Sequence, residues 1–176
     1  AWRVDGRTLD AKKHPHIEYI RTRLPPHHGQ PMHIRIRGTI PKASGLGSSA
    51  ALSVALCGAL QQIRNEAIDP VHASVLSHLA EAEAQGGRAS PMDTATSSLG
   101  GFVVLSDAIE ESLDYIETRT MDVNGETRQW HLHTFNAQIP EGVALVVGNT
   151  GVRGSTSAMV NPVSYTHLRA HETNSH

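Results

Sequence analysis

The sequence predicts an α/β fold, an α+β arrangement in two layers, and three observations predict it. His33-Ile34-Arg35-Ile36-Arg37 alternates apolar and charged residues, the mark of a strand with one buried face. A Gly-rich loop, Gly38–Gly47, follows, and from Ser48 the period changes: Leu52, Leu56, Leu60 and Ile63 recur at helical spacing. Farther on, Tyr115–Met121 and Gln129–Phe135 flank Asn124-Gly125, a strong hairpin signal.

The other elements follow from local chemistry. Ala1–Arg23 is mixed and polar, with a short helix expected around Ile17–Arg23 that Pro25-Pro26 stops. Ser48 or Ser49 is the expected N-cap of the helix after the loop. Asp69-Pro70 opens a second helix, with Asp69 as cap and Pro70 at the first helical position. Val71, Val75, Leu76 and Leu79 give it an apolar face, and Gly86-Gly87 ends it. Gly101–Leu105 and Val143–Val147 read as buried strands. Pro140-Glu141-Gly142 reads as a junction, so a first domain over 1–140 and the start of a second over 141–161 are expected. From Pro162 the chain loses amphipathic order. Residues 162–176 resemble translated sequencing-adapter read-through and are set aside as a non-native tail.

Composition narrows the function. The chain has 176 residues, 39% of them hydrophobic, enough for a real core. Its net charge of −2 leaves no basic surplus for a phosphate backbone, so a nucleic-acid partner is not expected. The least polar stretch, Ala50–Leu60, falls well short of the roughly 20 apolar residues that span a bilayer, so no membrane role is expected. A single cysteine, Cys57, excludes an internal disulfide, sits in an Ala/Leu helix pattern and reads as a buried structural thiol. A reducing cytoplasm is the expected location. Twelve histidines include the close pairs His14/His16, His27/His28 and His131/His133, yet no Cys partner or His-Glu-x-x-His pattern accompanies them. They read as surface histidines.

The informative stretch is Pro41-Lys42-Ala43-Ser44-Gly45-Leu46-Gly47-Ser48-Ser49-Ala50-Ala51, placed between a strand and a helix. Gly45 and Gly47 permit positive φ and close backbone approach. The N–H groups that begin a helix lack intrahelical partners and carry partial positive charge, so an anion placed there gains several hydrogen bonds at once. Ser48 and Ser49 supply hydroxyls for a phosphate oxygen or a magnesium ion. This is not a Walker A loop, because Ser48 stands where that motif has its Lys. Taken only as two glycines and a serine, the loop is better read as a capped helix after a Gly-rich turn.

As a whole, Pro-x-x-x-Gly-Leu-Gly-Ser-Ser-Ala-Ala resembles the ATP-binding signature of the galactokinase, homoserine kinase, mevalonate kinase and phosphomevalonate kinase superfamily. A second stretch, Glu81-x-x-x-Gln85-Gly86 followed by Ala89-Ser90-Pro91-Met92-Asp93-Thr94 and Gly100-Gly101, is similar to mevalonate kinases, particularly the archaeal type. A third, Thr150–Thr156, resembles the start of that family's C-terminal domain. The resemblance covers about residues 14–161.

The resemblance implies a fold like domain 2 of ribosomal protein S5 for the N-terminal part. It implies ATP and Mg2+ as cofactors and mevalonate as the small-molecule substrate, and it admits a homodimer. Pro41, Gly45, Leu46, Gly47, Ser48, Ser49 and Ala50 would cradle the nucleotide, with Thr156 near the phosphate or, equally, a helix cap. Asp93 would be the catalytic base, in a Ser/Gly/Pro-rich loop. Ser49 and Glu81 would bind magnesium. One extra residue between Gln85 and Asp93 leaves Glu83 open as the ligand instead. Two carboxylates two positions apart on a helix point in different directions, so only one is expected to face the site.

The family's N-terminal strand with its Lys and Gly-Glu-His segment does not appear, nor does its later glycine-rich motif, so truncation at both ends is expected. Lys12 and Lys13 do not take that lysine's role. Phosphomevalonate or homoserine kinase activity, and an inactive nucleotide-binding module, remain the alternatives.

Overall fold

A computed structural model describes residues 1–41, 44–123 and 126–148. The fold is mixed α and β: four α-helices, a short 3-10 helix at His27–Gly29 and two small three-stranded sheets among the described residues.

The N-terminal segment is more ordered than its polar composition suggests. Strands β1 (Arg3–Val4) and β2 (Arg7–Thr8) form a hairpin across Asp5-Gly6. Both turn residues have positive φ, 48° and 80°, which a two-residue loop between right-twisted strands requires. Strand β3 (His33–Ile34) adds to β1 in parallel, giving the order β2-β1-β3. The expected strand His33–Arg37 is therefore shorter as a ladder. Its alternation survives, with Ile34 and Ile36 half-buried and His33, Arg35 and Arg37 exposed. The reason lies at the turn: after Val4 the partner chain bends away, and the Asp5 carboxylate, not a backbone carbonyl, accepts the Ile36 N–H at 2.9 Å.

Helix α1 (Pro15–Arg23) buries Ile17 and Ile20, and α2 (Ser48–Ile63) buries Leu56, Cys57 and Leu60 against them. Val4, Leu24, Ala73, Leu76 and Ala80 complete this core. Cys57 is the buried thiol the sequence suggests, and burial pushes its pKa up, so it stays protonated. The expected face of α2 is rotated: Ala50, Ser53, Leu56, Cys57, Leu60 and Gln61 face inward and Ile63 faces out.

Helix α3 (Pro70–Ala84) starts as expected, with the Asp69 carboxylate accepting the His72 N–H at 3.0 Å and Pro70 in the first turn. It also ends as expected: the Gly87 N–H reaches the Ala82 carbonyl and the Gly86 N–H the Glu83 carbonyl, with Gly86 at φ 62°. Its inward face is not the Val71/Val75/Leu79 stripe. Val71 and Leu79 are exposed, while Ala73, Ser74, Leu76, Ser77, His78, Ala80, Glu81 and Ala82 are buried. Helices α1, α2 and α4 (Met92–Leu99) all pack on α3, and small side chains allow that approach.

The second sheet has the order β4-β6-β5: β4 (Phe102–Ser106), β5 (Asp114–Val123) and β6 (Glu126–Phe135), antiparallel throughout. The hairpin is longer than its apolar pattern indicates, and its register pairs Val123 with Glu126. The tip, Asn124-Gly125, lies outside the described residues. β4 is half-exposed, not buried, with Phe102 stacked on Phe135 at an exposed edge. Val143–Val147 is no strand. It lacks a pairing partner among the described residues, and Val146 is 90% exposed, since apolar composition makes a strand only where a neighbouring chain supplies hydrogen bonds.

One polar tie and one ring contact hold this sheet to α3. The buried Arg119 guanidinium donates to the Ser74 carbonyl at 3.4 Å and the Ser74 hydroxyl at 3.2 Å, and pairs with Glu117. The His78 ring is fully buried, edge-on to Trp130 at 5.6 Å between centroids. The surface reading of the histidines fails for His78 and for His133, whose Nε2 accepts the Glu110 N–H.

Burial lowers the His78 pKa from its ordinary value, and the Arg119 charge lowers it further. In the window between the lowered pKa and about 6.5 the unfolded chain binds a proton that the native chain refuses. Stability from this ring is complete above that window and lost as pH falls through it. His78→Gln, which does not titrate, should therefore close its stability gap to the wild type as pH drops from 7.5 to 5.5 in urea unfolding. A gap independent of pH would mean the ring is not held neutral.

Candidate functional site

Gly45 and Gly47 adopt positive φ, 75° and 62°, conformations that L side chains enter at roughly 1–2 kcal/mol. Gly47 itself is the N-cap of α2, in the left-handed region, and no side chain caps the helix. This corrects the expectation that Ser48 or Ser49 would cap it. Both serines lie inside the helix, so their hydroxyls sit in its first turn beside the N–H groups that have no intrahelical partner. No acidic residue of α2 occupies that turn. Ser49 is exposed, Ser48 and Gly47 are half-buried, and Ala50 is fully buried beneath them. On the entry side the Ser44 hydroxyl donates to the Pro41 carbonyl at 2.7 Å and closes a turn. Leu46 and Gly45 are exposed at its tip. Lys42 and Ala43 lie outside the described residues.

Asp93 comes from a segment far along the chain and meets this loop. A methyl group built on Gly47 would stand 3.5 Å from Asp93 Cγ and 3.6 Å from its Oδ2. The carboxylate therefore lies against the bare Cα of Gly47. Asp93 does not sit in an irregular loop as expected, for it occupies the first turn of α4, whose N-cap is Pro91. The Thr94 hydroxyl bonds to the Pro91 carbonyl at 3.1 Å, and the Ser90 hydroxyl accepts the Met92 N–H at 3.3 Å, which turns Ser90-Pro91 into a helix start. The N-termini of α2 and α4 thus converge at Gly47 and Asp93, and the Asp93 side chain remains exposed to a ligand.

The glutamates part as two neighbours on a helix must. Glu81 is 7% exposed and Glu83 is exposed. Glu81 Oε2 accepts from the Gln85 amide at 2.9 Å. Its Oε1 is buried without a hydrogen bond, 3.4 Å from His16 Nε2. A buried carboxylate oxygen with no hydrogen bond, and a serine hydroxyl, are hard oxygen donors of the kind magnesium takes. Among the described residues no group of three or more His, Cys, Asp or Glu could hold a metal unaided. His16, His78 and Arg119, which shape the surroundings of α3, carry no sequence signal, because nothing local distinguishes a buried histidine or arginine from an exposed one. Thr156 and the Thr150–Thr156 stretch lie outside the described residues, as does the tail over 162–176.

Residues 13–101 match the family model of the GHMP kinases N terminal domain. The mevalonate kinase of Methanothermobacter thermautotrophicus is 39% identical over 63% of this chain and 38% of its own length. That of Thermococcus sibiricus is 31% identical over 74% of this chain and 31% of its own. A galactokinase of Haemophilus influenzae is 28% identical over 77% of this chain and 30% of its own. The chain thus spans about a third of the length of the relatives it matches. No solved structure matches significantly.

The left-handed Gly47 yields a stability prediction independent of any ligand. Gly47→Ala should lower unfolding stability by about 1–2 kcal/mol, because the added Cβ meets the positive φ even though the space beside Asp93 admits a methyl group. Gly58→Ala, in the interior of α2 with open space around it, should be neutral or stabilising. Equal effects in urea unfolding would show that Gly47 is not held in that conformation.

Proposed function

Because the chain belongs to the GHMP kinase family, we propose that it is the ATP-binding part of a mevalonate kinase, which moves the γ-phosphoryl group of ATP to the primary hydroxyl of mevalonate. One juxtaposition supports the proposal: the Asp93 carboxylate lies beside Gly47, the residue that opens α2, whose first N–H groups lack intrahelical partners. Phosphoryl transfer needs both parts together, an anion site for the phosphates and a group that directs the attacking hydroxyl.

In this reading the backbone of Gly45–Ala50 holds the phosphates, with Ser48 adding a hydroxyl. Pro41 and Leu46 frame the loop. Asp93 accepts or directs the proton of the substrate hydroxyl. Ser49 and Glu81 would hold magnesium, which when bound neutralises charge on the phosphate oxygens. The buried Oε1, which makes no hydrogen bond and faces His16 Nε2 at 3.4 Å, favours Glu81 over the exposed Glu83 for that role. Catalysis is then mostly positioning and electrostatics. The names of the archaeal relatives support mevalonate as substrate, and phosphomevalonate is the closest chemical alternative. Thr156 is proposed near the phosphates.

The same proposal makes residues 1–140 an N-terminal domain of the ribosomal protein S5 domain 2 type, residues 141–161 the opening of the C-terminal domain, and residues 162–176 foreign to it. It also places the protein in the cytoplasm. No helix among the described residues is long and apolar enough to cross a membrane.

Two substitutions test the proposal in a kinase that carries this segment together with a C-terminal domain. Asp93→Asn should lower turnover by about 10²–10⁴-fold while leaving Mg-ATP affinity nearly unchanged. Near-normal turnover would remove Asp93 from the chemistry. Gly47→Val should abolish Mg-ATP binding in a calorimetric titration, and unchanged affinity would reduce the loop to a helix cap. Turnover with phosphomevalonate but not mevalonate would keep the family and change the substrate.

A further inference from the structure

Asp93 can serve the proposed site only if the segment before α4 holds it against Gly47. That segment leaves α3 through Gly86 and Gly87, both at positive φ, 62° and 83°, and paired glycines resist bending weakly. Two residues later the chain is buried again: Ala89 is 6% exposed and Pro91 is fully buried. The buried carbonyl of Ala89 lies 3.0 Å from His78 Nε2. A carbonyl can only accept, so Nε2 carries the hydrogen. The opposite ring nitrogen, Nδ1, is buried with no partner, as a neutral Nε2–H tautomer allows and a charged ring would not. Trp130 holds the ring edge-on at 83°. The groups facing the ring are thus the Ala89 carbonyl, Trp130 from β6, and the Arg119–Glu117 pair from β5, whose charges reach it. His78 takes no part in either the loop or the carboxylate set, yet it fixes the backbone four residues before Asp93.

We propose that His78 is a positioning residue for Asp93: its Nε2–H, bound to the Ala89 carbonyl, anchors the Ala89–Pro91 segment that brings the Asp93 carboxylate to Gly47. Asp93's role in catalysis comes from the functional reading above, whereas the anchoring itself is a geometric claim that can be tested without turnover. Loss of the donor leaves the Ala89 carbonyl buried and unpaired, and the relief is for the segment to lift toward water, carrying the first turn of α4 with it.

The test uses the 176-residue chain with His78→Gln, His78→Asn and His78→Leu. A Gln amide nitrogen overlays Nε2, while the shorter Asn amide overlays Nδ1 and cannot reach Ala89. The readouts are the nuclear Overhauser contact between Gly47 Hα and Asp93 Hβ, and amide exchange at Thr94 and Ala95 relative to Leu132 in β6. Wild type and His78→Gln should keep the contact and show the same exchange at Thr94 and Ala95 relative to Leu132. His78→Asn and His78→Leu should lose it, with exchange at Thr94 and Ala95 faster by about ten- to a hundredfold and Leu132 little changed. If His78→Leu does not fold, the Gln–Asn comparison decides alone. A contact that survives in His78→Asn, or exchange that rises equally at Leu132, would overturn the proposal. Mg-ATP titration of a kinase that carries this segment together with a C-terminal domain tests the kinase reading separately, and its failure would leave the anchoring result standing.

Discussion

Three helices and a sheet close on α3, and they can do so because its contact residues are small. Ala73, Ser74, Ser77, Ala80 and Ala82 present little beyond a backbone surface, so α1, α2 and α4 approach it closely while Leu76 alone supplies aliphatic bulk. Everything that places the candidate site depends on this arrangement. α2 presents its N-terminus with Gly47, and α4 presents its own with Asp93, because both lie on one central helix. A large residue at Ala73 or Ala80 would have no free volume to enter and would force the helices apart.

The same helix carries the polar ties that its neighbours need. Ser74 receives Arg119 from β5, and His78 reaches Ala89 in the segment leading to α4. A guanidinium and an imidazole buried this deeply are costly to leave unpaired, so the hydrogen bonds they make select one placement of sheet and loop over others of similar apolar burial. Burial also keeps the His78 ring neutral, with its pKa lowered by desolvation first and by Arg119 second.

Convergence of two helix N-termini has a chemical consequence. Each brings N–H groups without intrahelical partners, and at their meeting point stands one carboxylate that belongs to α4 and rests on the glycine of α2. An anion at the loop would therefore be bound beside the Asp93 carboxylate. Glycine at position 47 takes the left-handed conformation that starts α2, and the Asp93 carboxylate packs beside it at ordinary van der Waals distance.

Much of this was legible in the residues themselves. Gly45-Leu46-Gly47-Ser48-Ser49 announced a loop opening a helix, Asp69-Pro70 a helix start, and Gly86-Gly87 its end, because capping and turn chemistry are local. Asp5-Gly6 was equally local and marks the first hairpin, though the polar residues around it masked the signal. The inward face of α3 was not legible, because periodicity is read from Val and Leu while close packing is decided by Ala and Ser. Val143–Val147 has strand composition but no partner among the described residues, and composition cannot supply one. By itself, then, the sequence determined where a Gly-rich loop opens a helix and which carboxylates were candidates to join it. Only the tertiary structure decided that Asp93 starts a helix against Gly47, that Glu81 turns inward and Glu83 outward, and that His78 holds Ala89. Those outcomes depend on which distant segments pack together, and local periodicity and propensity carry no record of that choice.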